Sequence, residues 1–209
     1  MSLFRGSLTY VRFFVAGETP DDLESKGLTQ IRRKMQRPLL AEDDESERSG
    51  WCKVASAFDL EVDHMDVFYN EFVNLGFRTD KWAIPGALLR AKLGEAEKAY
   101  LEKKGRERLS KKEKLELKDL VSRKLRKSLT PQVRVNDVSW DTTSGLVRFF
   151  GTSPKAHLAF TELFEKTFGV KLVREAPFTL GTRLGLTKAE EASLGDSEPL
   201  TIASSDDEG

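Results

Sequence analysis

Residues 133–150 read VRVNDVSWDTTSGLVRFF, and this stretch decides the fold. β-Branched and aromatic residues flank Asp141-Thr142-Thr143-Ser144-Gly145, a run of turn formers. The pattern predicts two strands, Val133 to Trp140 and Leu146 to Phe150, folded back on each other. Downstream, Lys155 to Phe168 repeats apolar residues at helical spacing and stops at Gly169, and Lys171 to Arg174 predicts a returning strand. Strand, turn, strand, helix and strand in that order point to an α+β fold with antiparallel strands.

Working upstream, Pro131 ends a helix that opens at Ser110, where Glu113 three residues later completes a capping-box pattern. Before it, Pro85 to Lys104 carries Leu88, Leu89, Leu93, Ala96 and Tyr100 at helical spacing and closes at Gly105. Together these predict a long helical hairpin at 85–128. Leu8 to Val15 predicts a first strand, and a helix is expected from about Pro20 to Gln36, with Pro38 beyond it. Glu42 to Arg48 (EDDESER) has no apolar anchor and reads as an exposed charged connector. Trp51 to Phe58 is ambiguous. Asp66 to Tyr69 and Glu71 to Phe77 suggest an antiparallel pair turning near Asn70. With 209 residues and 39% hydrophobic content the chain can bury a core. An α+β unit is expected over 1–185, with an acidic, disordered tail over 186–209.

Charge is unevenly spread. The whole chain balances 34 Lys/Arg against 34 Asp/Glu, yet residues 81–134 hold 17 basic against 7 acidic residues. Lys103, Lys104, Arg106 and Arg108 crowd the connector of the predicted hairpin, and Lys111 and Lys112 open its second helix. On that helix Leu117, Val121, Leu125 and Leu129 share one flank, and Lys112, Arg123, Arg126 and Lys127 lie on the other. Cations spaced on a rigid helix can follow the phosphates of a duplex and release condensed counterions, giving affinity without base reading. The alternative is equally open: Glu113, Glu116 and Asp119 stand at i+3 or i+4 from these cations, as on a solvated helix.

Other chemistry has less support. Cys52, alone in the chain, forms no internal disulfide, and with His64 and His157 it makes no zinc cluster. His64 lies between Asp63 and Asp66 without a nucleophile nearby, and Cys52 without an activating base. No phosphate-cradling glycine motif is present, so no cofactor is implied. Asp59, Glu61 and Asp63 could in principle hold a cation, but solvation explains them. Phe149, Phe150, Phe160, Phe164 and Phe168 fit a core better than a base-stacking platform. No signal sequence or membrane-spanning run is seen, so a reducing cytoplasm is expected.

Ala83-Ile84-Pro85 before a helix, the basic connector through Arg108, the run Leu109 to Asp119, and Leu129-Thr130-Pro131 together resemble the recombination-associated protein RdgC family. Ser139 to Val147 is similar to that family's tryptophan-aspartate-threonine turn, and Gly50-Trp51 to its early glycine-tryptophan pair. The likeness spans about Leu3 to Leu180, with this chain as a shortened member. The resemblance implies a non-enzymatic, nucleoid-associated protein that binds double-stranded DNA with little sequence preference, as a homodimer, and restrains the recombinase RecA. A protein-interaction module that uses the same charged hairpin without DNA is the rival reading.

Overall fold

Seven strands join in one antiparallel sheet in the computed structural model, in which residues 9–20 and 22–197 are described. The strands are β1 (Val11–Ala16), β2 (Glu47–Cys52), β3 (Phe68–Tyr69), β4 (Phe72–Lys81), β5 (Gln132–Asp141), β6 (Leu146–Phe149) and β7 (Lys171–Arg174). Their order is β2-β4-β5-β6-β1-β7, with β3 also on β4. The 133–150 stretch forms the β5–β6 hairpin, with Asp141 opposite Leu146 and Val138 opposite Phe149. The Asp141 carboxylate accepts from the amides of Thr143 and Ser144, and Gly145 takes φ +70°, so the loop closes as its residue types require.

Helices α1 (Leu23–Arg33) and α5 (Pro154–Phe168) cover one face of the sheet. Beneath them lies an aromatic core. Trp51, Phe77, Trp140, Phe149 and Phe160 are all fully buried, and Phe160 meets Trp51, Phe77 and Phe149 at centroid distances of 4.6–6.2 Å. Trp51 also donates from Nε1 to Thr167 Oγ1 at 2.8 Å, satisfying its buried N–H. Burying each such side chain contributes roughly 1.5–3 kcal/mol, a sizeable share of a domain's stability of about 5–15 kcal/mol. These phenylalanines are therefore packing residues.

Several expectations are corrected. The Glu42 to Arg48 segment is not a free connector. Glu47 and Arg48 begin β2, opposite Lys81 and Asp80, and Arg48 binds Asp43 at 2.9 Å and Glu45 at 2.8 Å. Asp66 and Val67, expected to begin a strand, instead end a short helix, α2 (His64–Val67), because the Asp63 amide donates to Asp66 Oδ2 and Lys53 also holds Asp66. Only Phe68 and Tyr69 pair with β4, across a turn in which Asn70 has φ +50°. Strand β4 runs on to Lys81, beyond the predicted end.

At the start of the chain, Leu8 and Asp21 lie outside the described residues. In the segment expected to be a disordered tail, α7 (Lys188–Gly195) forms, capped by Thr187 and Glu190, and packs on α6 (Pro177–Arg183). Two residues of α6 explain this anchorage: a side chain added at Gly181 would collide with Leu186, and Arg183 donates to the Ser144 carbonyl at 2.7 Å. Residues 198–209 of that expectation lie outside the described residues.

Between β4 and β5 the chain leaves the sheet for 50 residues, from Trp82 to Pro131, and returns in register, Lys81 opposite Gln132. This excursion contains helices α3 (Gly86–Lys104) and α4 (Lys111–Arg126), which pack on each other. Helix α3 buries no residue, and α4 buries only Val121. At 1.5 Å per residue α3 spans about 28 Å, so the turn joining the pair stands far from the sheet.

Candidate nucleic-acid interface

Local chemistry shapes the tip of this two-helix arm. Gly105 adopts φ +61° and caps α3, with the Arg106 amide bound to the Leu101 carbonyl. At the start of α4, Glu113 N–H donates to Ser110 Oγ at 3.2 Å and Ser110 N–H to Glu113 Oε2 at 2.8 Å. Tyr100 donates to Glu113 from α3, and Arg106 reaches it at 2.7 Å. The Ser110 amide, then its hydroxyl, then the Arg106 guanidinium hold the Glu113 carboxyl down to about 2. Arg106 is thereby committed to the turn.

The nine cations predicted to bind DNA divide into two groups. Lys103, Lys104, Arg108 and Lys111 are exposed and make no ion pair among the described residues. They occupy the last turn of α3, the connector and the first position of α4, so they gather at the tip. The other five have protein partners. Besides Arg106, Lys112 lies 3.9 Å from Glu116, Arg123 contacts Asp119 at 3.0 Å and Asp44 at 2.7 Å, and Lys127 stands 3.5 Å from Glu42. Arg126 donates to the Asp43 carbonyl at 2.9 Å and sits over the Trp82 ring at 6.0 Å.

Part of the expected interface is thus engaged within the chain itself. The helical wheel correctly separates α4 into two flanks, but near its C-terminal end the cationic flank is occupied by residues 42–45. An acidic segment without apolar residues has nothing to bury; what holds it is the cationic surface about eighty residues away, which no local pattern reveals. Surface pairs of this kind are individually weak, about 0–1 kcal/mol, so they compete with phosphate without abolishing access to it. Exposed Leu115 and Leu120 also lie on α4, at 69% and 63% relative exposure.

The remaining candidates are structural. His64 stacks on Phe68 and faces Glu24 at 3.6 Å, and His157 is buried with Nε2 at 2.9 Å from the Gly151 carbonyl. Burial pushes the Cys52 thiol up to about 12, which leaves it protonated and unreactive. Asp59 is held by Lys53, and Asp63 by Arg32. Among the described residues no cluster of three or more His, Cys, Asp or Glu could hold a metal, and no helix is long and apolar enough to cross a membrane.

A second feature escapes sequence patterning. In β5 the apolar alternation changes phase, from Val133 and Val135 to Val138 and Trp140, while the pairing with β4 stays regular. The face that carries Trp140 and Val138 near α5 therefore carries Asn136, Arg134 and Gln132 farther along. There the sheet face that is aromatic under α5 becomes polar and opens into a groove of about 610 Å³. The phase change is a visible signal, but only the fixed register gives it meaning.

The sequence matches no protein-family model and no curated protein.

Proposed function

We propose that this protein binds double-stranded DNA through the phosphate backbone, without sequence preference, and that the tip of the α3–α4 arm makes the contact. The observation that carries the reading is the grouping of Lys103, Lys104, Arg108 and Lys111, exposed and without carboxylate partners among the described residues, at the end of an arm that buries almost nothing of its own. Cations at the end of α3 are favoured by the helix dipole; Lys111 at the start of α4 is disfavoured by it, and an approaching phosphate would relieve that cost. The chemistry is occupancy: duplex covered by protein is closed to a recombinase filament, with no bond broken. Restraint of RecA and action as a homodimer follow from the RdgC-like motifs and belong to the same proposal.

The test is a salt titration of duplex binding. Replacing Lys103, Lys104, Arg108 and Lys111 by Gln is expected to flatten the slope of log K against log salt by about 0.9 for each phosphate that is no longer neutralised. An unchanged slope overturns the assignment. The rival reading, an arm that docks another protein, is favoured by exposed Leu115 and Leu120. Ser substitution at these two positions should leave DNA binding intact; loss of a stoichiometric protein complex on that change, with no DNA retardation by the parent, selects the rival.

A further inference from the structure

We infer that the groove between the far ends of β4 and β5 and the start of α5 is a binding site for a phosphate ester of nucleotide size. Thr79, Lys81, Arg134, Asn136, Ser153 and Lys155 line it, with Glu47 at its edge. None of these residues belongs to the arm tip, so the groove stands independently of the DNA reading.

Three cations face one carboxylate. Glu47 receives Lys155 at 2.6 Å and Lys81 at 3.7 Å, and Arg134 is exposed with no ion pair among the described residues. The concave wall thus carries an excess of two positive charges, an arrangement that focuses the field on an anion and costs self-repulsion without one. Arg134 supplies a planar fork suited to two phosphate oxygens, and the lysines supply point charges.

Neutral donors point the same way. Pro154 opens α5, so the amides of Lys155 and Ala156 have no acceptor within the helix, and Ser153 makes no side-chain cap. Beside these charges, Ala156, Ala159 and Phe150 add apolar lining. A volume of about 610 Å³ lies in the range of small-molecule sites, roughly 300–1,000 Å³, and exceeds what a bare phosphate fills. A charged end beside an apolar wall suits a phosphorylated nucleoside, free or as one unit of a strand.

The site is tested by amide-resolved NMR titration of the whole chain with three probes: inorganic phosphate, adenosine 5′-monophosphate and a short single-stranded oligonucleotide. Saturable shifts centred on Thr152, Ser153 and Lys155 are expected with the nucleotide or the oligonucleotide, at an affinity at least roughly tenfold above that for inorganic phosphate. Arg134→Gln and Lys155→Gln should each weaken binding by roughly tenfold, and Glu47→Gln should tighten it, a gain that a purely structural role would not produce. Gln at the four arm-tip cations should leave these shifts unchanged, which separates failure of this site from failure of the arm. The strand is the ligand if the oligonucleotide binds tighter than the mononucleotide, and a free nucleotide is the ligand if the order is reversed. The inference is overturned if no probe saturates, if inorganic phosphate binds as tightly as the nucleotide, or if well-folded Arg134→Gln binds normally.

Discussion

Arg123 reaches Asp44 across 79 positions of sequence, with Nη2 and Oδ1 2.7 Å apart. The pair ties the root of the arm to the segment that precedes β2. With Lys127 near Glu42 and Arg126 on the Asp43 carbonyl, it makes the 42–45 segment an internal polyanion resting on cations that the proposed reading assigns to phosphate. Of the nine cations expected at the interface, the four without an ion pair among the described residues are those at the tip, Lys103, Lys104, Arg108 and Lys111.

Removing that internal competitor should expose the root. The double variant Glu42→Gln, Asp44→Asn is expected to bind duplex DNA more tightly at low salt, with a slope steeper by about 1–2 as Arg123 and Lys127 become available. A binding isotherm identical to that of the parent at every salt concentration would show that the root never meets phosphate.

Two glycines in the sheet differ in what they touch. A Cβ at Gly50 would stand 2.7 Å from Gln36 Cα and 2.9 Å from the Lys34 carbonyl, both backbone; one at Gly76 would stand 2.5 Å from Cys52 Sγ. Gly50→Ala should cost about 1–3 kcal/mol in denaturant unfolding, with no single side-chain change to relieve it. Gly76→Ala should be partly rescued by Cys52→Ala, so that the double variant loses less than the two single losses together. Strict additivity would contradict the packing described.

Arg78 and Asp80 form a buried pair on the sheet face away from α5, joined at 2.6 and 2.7 Å, with Phe58 against the guanidinium at 4.3 Å. Asp80→Asn strands the Arg78 charge and should destabilise by about 3–5 kcal/mol. Replacing both residues with Met and Leu should recover most of that loss, a comparison that equilibrium unfolding decides.

Glu113 makes the arm sensitive to acid. Its carboxyl titrates near 2 in the folded chain against 4.5 ordinarily, so its contribution is complete above about pH 4.5 and disappears as pH falls through about 2. Tyr100 fluorescence and helical circular dichroism should record the tip loosening in that window. Glu113→Gln should show the loosened signals already at neutral pH and little further change on acidification.

Much of the fold is legible in the sequence, for local reasons. The β5–β6 hairpin, both arm helices, α5 and β7 are written in turn residues, caps and periodicity that need no distant partner. Seen from Ser110 and Glu113, the start of α4 needs only four residues of context. What escapes depends on contacts far apart in sequence. Residues 42–48 look solvated until α4 and Asp80 are placed beside them, and α2 is decided by a reciprocal Asp63–Asp66 bond within a stretch of strand-like composition. Arg134 and Asn136 share β5 with residues of apolar phase, so their common face with Thr79 emerges only once Phe77 is known to pair with Asn136. The same holds for the cations: their sequence clustering is plain, but which of them are neutralised is a tertiary fact.

Because Lys81 and Gln132 are direct partners, the ladder closes without help from what lies between them. The outer turns of α3 and α4 are consequently free of any obligation to the sheet. Matched deletions of seven residues from each helix, two turns apiece, would shorten the boom while keeping its heading, and a tight β-turn could replace it altogether. Reach is thus an adjustable dimension of this molecule, and the distance from the sheet at which the tip operates can be changed without redesigning the structure that carries it.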